Sequence, residues 1–173
     1  MHRPQKNDFS SKGPGAPLVL VPTAFERDAL VDAGCPWPME LCGFGVLASA
    51  ARAASLIAAC RPCRVLLIGV AGTYDETNLP VESARRFGSL GLWGMGAGYG
   101  ENHQPPSQLL PQWTDPAGPI EQDLATAGGT GRLVTVCAAS DCPEDAAPIL
   151  AHYPDAQAED MEAFAVALAC RLA

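Results

Sequence analysis

Short apolar runs alternate with segments of helical period over most of the chain, and the alternation predicts the element order. "APLVLVPTA" (16–24) reads as a central strand, because a compact aliphatic run follows a Gly-Pro-Gly break. "FERDALVDAG" predicts a short amphipathic helix with Phe25, Ala29 and Leu30 on one face and Gly34 at its stop. "MELCGFG" predicts a strand entering a glycine loop, and an Ala-rich, buried helix follows over about 46–60. "CRVLLIGVAG" is the clearest strand. Residues 73–131 are rich in Gly, Pro, Asn and Gln and predict a long irregular region. "GRLVTVCAAS" returns to strand, and "CPEDAAPILAHYP" predicts a helix opening at Pro143 with two acids in its first turn. After a short connection, "DAQA", the acids Glu159, Asp160 and Glu162 open a last helix whose apolar body runs over about 161–171.

Strands alternating with helices predict an α/β sheet with helices on its faces. The length of 173 residues suits one domain with a real core, and 48% apolar against 17% charged residues is a globular composition. Residues 1–16 are polar with Gly and Pro and read as a flexible tail, leaving 17–173 as a single domain. The net charge of −8 and the scattered basic residues argue against nucleic acid as a partner. The longest apolar run is interrupted by Arg52 and too weakly apolar for a membrane span.

Seven cysteines include a "CRPC" pair, Cys60 and Cys63. Zinc would need two further ligands, and a redox site should open a helix, whereas this pair separates a helix end from a strand start. The cysteines are expected to be reduced core thiols, with no metal and no cofactor. The glycines of "GSLGLWGMGAGYG" invite comparison with a dinucleotide loop, but the strand–loop–helix context is missing downstream.

In open α/β sheets, ligands bind beyond the carboxyl ends of the strands. Four segments stand there: "PTAFER" with Glu26, "VAGTYD", "CAAS" with Asp141, and "EDME". From spacing alone, Glu159, Asp160 and Glu162 make an ordinary acidic first turn favoured by the helix dipole, and Glu26 a solvated residue beside Arg27 and Asp28.

Taken in order, "PTAFER", "GFGVLASAARAA", "VLLIGVAGTYD", "LVTVCAAS" and "AEDMEAFAVALAC" resemble the nucleoside phosphorylase superfamily over about residues 17–173. The match is best to its nucleosidase branch, futalosine hydrolase and methylthioadenosine/S-adenosylhomocysteine nucleosidase. The sharpest element is Met161-Glu162 ahead of "AFAVALAC". The resemblance implies a three-layer fold with a mixed, mainly parallel central sheet flanked by helices. It implies that Glu162 accepts hydrogen bonds from the ribose 2′- and 3′-hydroxyls while Met161 packs against the sugar. A carboxylate there favours a ribosyl cation over the neutral ground state. It also implies that Glu26 positions and deprotonates water, that Ala71 and Gly72 allow close approach of base and ribose, and that Asp141 lies in a base-contacting loop. Glu159 and Asp160 keep their first-turn reading.

A phosphorylase would bind phosphate with arginines and a glycine-rich turn after the first strand, and "PTAFERDA" has one arginine and no glycine. Water is the expected acceptor. The resemblance further implies a cytoplasmic homodimer acting on a small-molecule nucleoside, futalosine- or methylthioadenosine-like. The family's pattern continues past this helix to an aspartate assisting the departing purine, so the domain is expected to be incomplete at its C-terminus. Without that general acid, about 10²–10⁴ in rate is at stake. The alternative to a nucleosidase is therefore a weakly active or inactive nucleoside-binding homologue.

Overall fold

The computed structural model describes residues 15–109, 114–115, 118–119 and 123–173. The tail expected over 1–16 therefore falls almost wholly outside the described residues.

Three parallel strands form the first sheet, in the order β2 (Met39–Leu41), β1 (Leu18–Val21), β3 (Val65–Leu67). Every residue of "LVLV" in β1 is buried, as expected of a strand covered on both faces. Helices α1 (Ala24–Asp32) and α2 (Gly45–Cys60) follow β1 and β2. A second sheet runs β4 (Gly72–Thr73), β10 (Ala156–Asp160), β9 (Arg132–Thr135), β5 (Ser89–Leu92), β8 (Asp123–Ala125). Its centre, β10–β9–β5, is parallel, and the edges β4 and β8 are antiparallel. Helix α4 (Pro143–His152) connects β9 to β10, and α5 (Ala163–Leu172) follows β10. A short helix α3 (Pro106–Leu109) and the two-stranded pair β6 (Thr114–Asp115) and β7 (Gly118–Pro119) occupy the region between β5 and β8.

This is the predicted α/β architecture of mixed, mainly parallel sheets flanked by helices, with its strands divided between two hydrogen-bonded sheets. Helix α5 joins them. Its Phe164 packs among Leu90, Leu92, Leu124 and Leu133 of the second sheet. Its Val166 packs among Leu18 and Leu20 of β1 and Ala53 and Ile57 of α2. The apolar body of this helix is thus covered on several sides within the chain. Two sheets and α2 surround its first two turns, and exposure begins at Cys170 and Leu172.

Other expectations change in detail. Helix α1 starts at a capping box: Thr23 Oγ1 accepts from the Glu26 amide (3.2 Å), and Glu26 Oε2 accepts from the Thr23 amide (3.0 Å). Its expected apolar face is not a buried one, because Phe25 is 83% exposed and the helix buries no residue. Helix α2 buries only the stripe Ser49, Ala53, Ile57, spaced four apart, rather than its whole surface. Of the cysteines, all free, only Cys42 is buried; Cys63, Cys137, Cys142 and Cys170 are exposed. The core-thiol reading therefore holds for Cys42 alone.

Strands β5 to β8 lie in the stretch expected to be irregular, and β10 where a helix start was expected. "SLGL" is the fully paired β5. Its Gly91 is required by packing: a Cβ there would stand 2.9 Å from the Tyr153 ring. "AQAED" is β10, so Glu159 and Asp160 belong to a strand and not to the first turn of a helix.

Candidate active site

The carboxyl ends of β1, β2, β3, β9 and β10 carry the residues singled out above. Each of the four acids there has a different set of partners.

Glu26 reaches from α1 to the end of β3. Its Oε1 accepts from the Val70 amide at 3.0 Å, and its Oε2 accepts from the Thr23 amide and from Thr23 Oγ1 at 2.5 Å. Three donors thus occupy a carboxylate with roughly four lone-pair sites, leaving room for one more. Arg27 and Asp28, its neighbours in sequence, pair with each other instead.

Glu162 stands at the start of α5 and is 5% exposed. Its Oε1 accepts from the Gly45 amide at 2.7 Å. Gly45 opens α2 in a loop where Gly43 and Gly45 both take the left-handed region, at φ 88° and 80°. The carboxylate therefore lies on the positive end of a sixteen-residue helix, where an anion is favoured. Burial nevertheless pushes its carboxyl above the ordinary range; Asp160 and Glu26 add to this, while the Gly45 and Met161 amides oppose it. The influence of Glu26 on Glu162 puts the two carboxylates in one electrostatic neighbourhood. Cys42, at the end of β2, shares it: burial first, then the charge of Glu162, pushes its thiol up to about 11. It is a neutral thiol at neutral pH.

Asp160 is spent on structure. Its Oδ2 accepts from the Ala163 amide (2.6 Å) and the Glu162 amide (3.2 Å), and its Oδ1 accepts from Thr135 Oγ1 (2.6 Å). It therefore satisfies the first amides of α5 from the preceding strand, which keeps part of its expected helix-terminal role. Burial raises its carboxyl above the usual value despite these donors. The Thr135 hydroxyl also accepts from the Phe164 amide at 2.8 Å, tying β9 to the same turn.

Glu159 is also 5% exposed and faces another way. Its Oε1 accepts from the Ser140 amide (2.6 Å), and its Oε2 accepts from Ser140 Oγ (2.9 Å) and the Tyr74 hydroxyl. Burial, together with this bond, raises the Tyr74 hydroxyl well above its ordinary value.

The remaining candidates lie around these acids. Ala71, just before β4, and Gly72, its first residue, are exposed, and a Cβ on Gly72 would stand 3.5 Å from Glu159 Cγ. Met161 is half-buried against the cluster of Val134, Val136, Ile149 and Tyr153. Asp141 is exposed, and its amide donates to Asp145 Oδ2 at 3.2 Å. Sequence reasoning missed Thr23, Gly45, Tyr74 and Ser140. The Thr-x-x-Glu spacing signals the capping box at Thr23, whereas nothing local marks the other three, whose partners lie far away in sequence. Among the described residues no group of three or more metal-ligating side chains assembles, and no helix is long and apolar enough to cross a membrane.

The fold, two mainly parallel sheets bridged by an apolar helix with acids at the strand ends, is shared with solved nucleosidase structures. Among solved structures, the chain is similar to the 5′-methylthioadenosine/S-adenosylhomocysteine nucleosidase of Neisseria meningitidis in complex with methylthio-immucillin-A, at TM-score 0.63 and 16% identity, covering 90% of this chain and 79% of that one. The corresponding Campylobacter jejuni nucleosidase matches at TM-score 0.65 and 15% identity, over 91% and 80% of the two chains. Futalosine hydrolase of Helicobacter pylori matches at 0.61 and 15%, over 92% and 83%. No protein-family model and no curated protein matches the sequence.

Proposed function

We propose that this chain is a nucleosidase that hydrolyses the N-glycosidic bond of a purine nucleoside, futalosine- or methylthioadenosine-like, releasing free base and a ribose derivative. The observation that carries this reading is the buried Glu162 carboxylate, anchored by Gly45 at the strand ends with Glu26 in its field. A buried acid held on one side by an amide keeps acceptor capacity for the vicinal hydroxyls of a ribose. Its negative charge is then in place before charge develops on the sugar, so it stabilises the cation-like transition state more than the ground state.

In the proposed step, a water oxygen bonds to C1′ as the C1′–N bond breaks, and the bonding pair leaves with the base. One water proton passes to Glu26 and from there to solvent, and the departing base takes up a proton from solvent. Glu26 suits this role because its amide and hydroxyl donors fix its orientation and leave space for one further donor, the attacking water. Ala71 and Gly72 offer the close backbone approach, Met161 the apolar contact to the sugar, and the loop with Asp141 the contact to the base. The functional chain is proposed to be a homodimer in the cytoplasm, with no cofactor or metal.

Release of free base from a panel of purine nucleosides, resolved by chromatography, tests the reading. Turnover that Glu162→Gln lowers by about 10²–10³ supports it. Nucleoside binding without base release would instead support the inactive, nucleoside-binding homologue, and neither binding nor release would remove both.

A further inference from the structure

The three donors on Glu159 come from two separate loops. Ser140 lies in the loop after β9 and Tyr74 in the segment after β4, and β10 runs between those strands in the sheet. Gly72 pairs with Glu159 in register and leaves room above its side chain. Burying a carboxylate is costly unless its oxygens are hydrogen-bonded, and here both oxygens are. The arrangement holds the two loops at one distance from each other.

We infer that Glu159 is a positioning residue that clamps the Ser140–Asp141 loop to the Gly72–Tyr74 segment and so sets the base side of the site. What the clamped loops touch rests on the nucleosidase reading; the clamp itself does not. Its acceptors are also distinguishable. The Ser140 amide can only donate, so Oε1 must remain an oxygen, whereas the Tyr74 and Ser140 hydroxyls can each accept as well as donate. Glutamine at this position can therefore keep the clamp, with its amide nitrogen toward the two hydroxyls. Alanine cannot.

The test uses the full chain as wild type, Glu159→Ala, Glu159→Gln and Tyr74→Phe. Hydrogen–deuterium exchange is read in peptides covering 72–76 and 137–142. Loss of bonds to a charged group predicts exchange about tenfold or more faster in both peptides of Glu159→Ala, with β1 and α2 unchanged. Tyr74→Phe should loosen 72–76 more than 137–142, and Glu159→Gln should stay close to wild type. With a cleaved nucleoside, Glu159→Ala should raise KM about tenfold with a smaller change in kcat, and Glu159→Gln should restore most of it. Wild-type exchange in both loops of Glu159→Ala, or an acceleration spread evenly over the whole chain, would overturn the clamp. Loosened loops with an unchanged KM would overturn its positioning role. A wild type that neither binds nor cleaves nucleosides would end the nucleosidase reading, while the exchange measurement still decides the clamp.

Discussion

At the scale of single residues, adjacent acids of one motif have unrelated work because strand and turn geometry aim them differently. Glu159 joins loops, Asp160 caps α5, and Glu162 caps α2 from the far side. Glu162→Gln should lower kcat by about 10²–10³, the usual loss when a preorganised electrostatic group is neutralised, with the fold kept because glutamine Oε1 can still accept from Gly45. The same substitution has a second readout. Both Glu162 and Asp160 bind their protons more tightly folded than unfolded, since burial raises them. Their contribution to stability is complete below the unfolded values of about 4 and falls as pH rises through the folded values. Thermal melts from pH 4 to 7 should therefore show a shallower pH dependence for Glu162→Gln than for wild type. Glu26→Ala should cost about 1 kcal/mol by loss of the capping box, measured by urea unfolding, and about 10²–10⁴ in turnover.

At the scale of elements, the end of β9, the end of β10 and the start of α5 form one hydrogen-bonded unit centred on Thr135. Its hydroxyl donates to Asp160 and accepts from Phe164, and it is fully buried. Thr135→Val keeps the shape and strands both partners, so it should destabilise the protein by about 2–3 kcal/mol in urea unfolding. Strand β5 makes a matching case in packing. Gly91→Ala drives a methyl into the Tyr153 ring and should cost about 1–3 kcal/mol. These two positions also show why elements differ in legibility. β1 declares itself by four aliphatic residues in a row, whereas β5 is half glycine and serine, and its strand state is dictated by its neighbours β8 and β9. In β10 the acids suit a helix start as well as a strand end, and pairing with β4 and β9 decides the matter.

At the scale of the whole molecule, large apolar side chains remain at the surface near the strand ends, among them Phe25, Phe44, Leu47 and Val70. Beyond β5, Tyr99 is 92% exposed and Met95 42%, while Trp93 is half-buried against His103 and His152. Exposed apolar patches of this kind mark contact surfaces. A dimer is therefore expected by light scattering at micromolar concentration, and Tyr99→Asp should shift it toward monomer. A monomeric wild type would contradict the prediction.

The amino-acid sequence by itself determined the succession of strands and helices around the first sheet, the helical body of α5, and the placing of acids after strands. Those features follow from local periodicity, caps and apolar runs, which a linear reading can count. Tertiary structure alone decided that α5 lies between two sheets, that "SLGL" and "AQAED" are strands, and which acid meets which donor. Gly45 stands 117 positions from Glu162, and Tyr74 85 positions from Glu159. No local pattern encodes such pairs, because a buried carboxylate finds its donors through the packing of the whole chain and not through its neighbours in sequence.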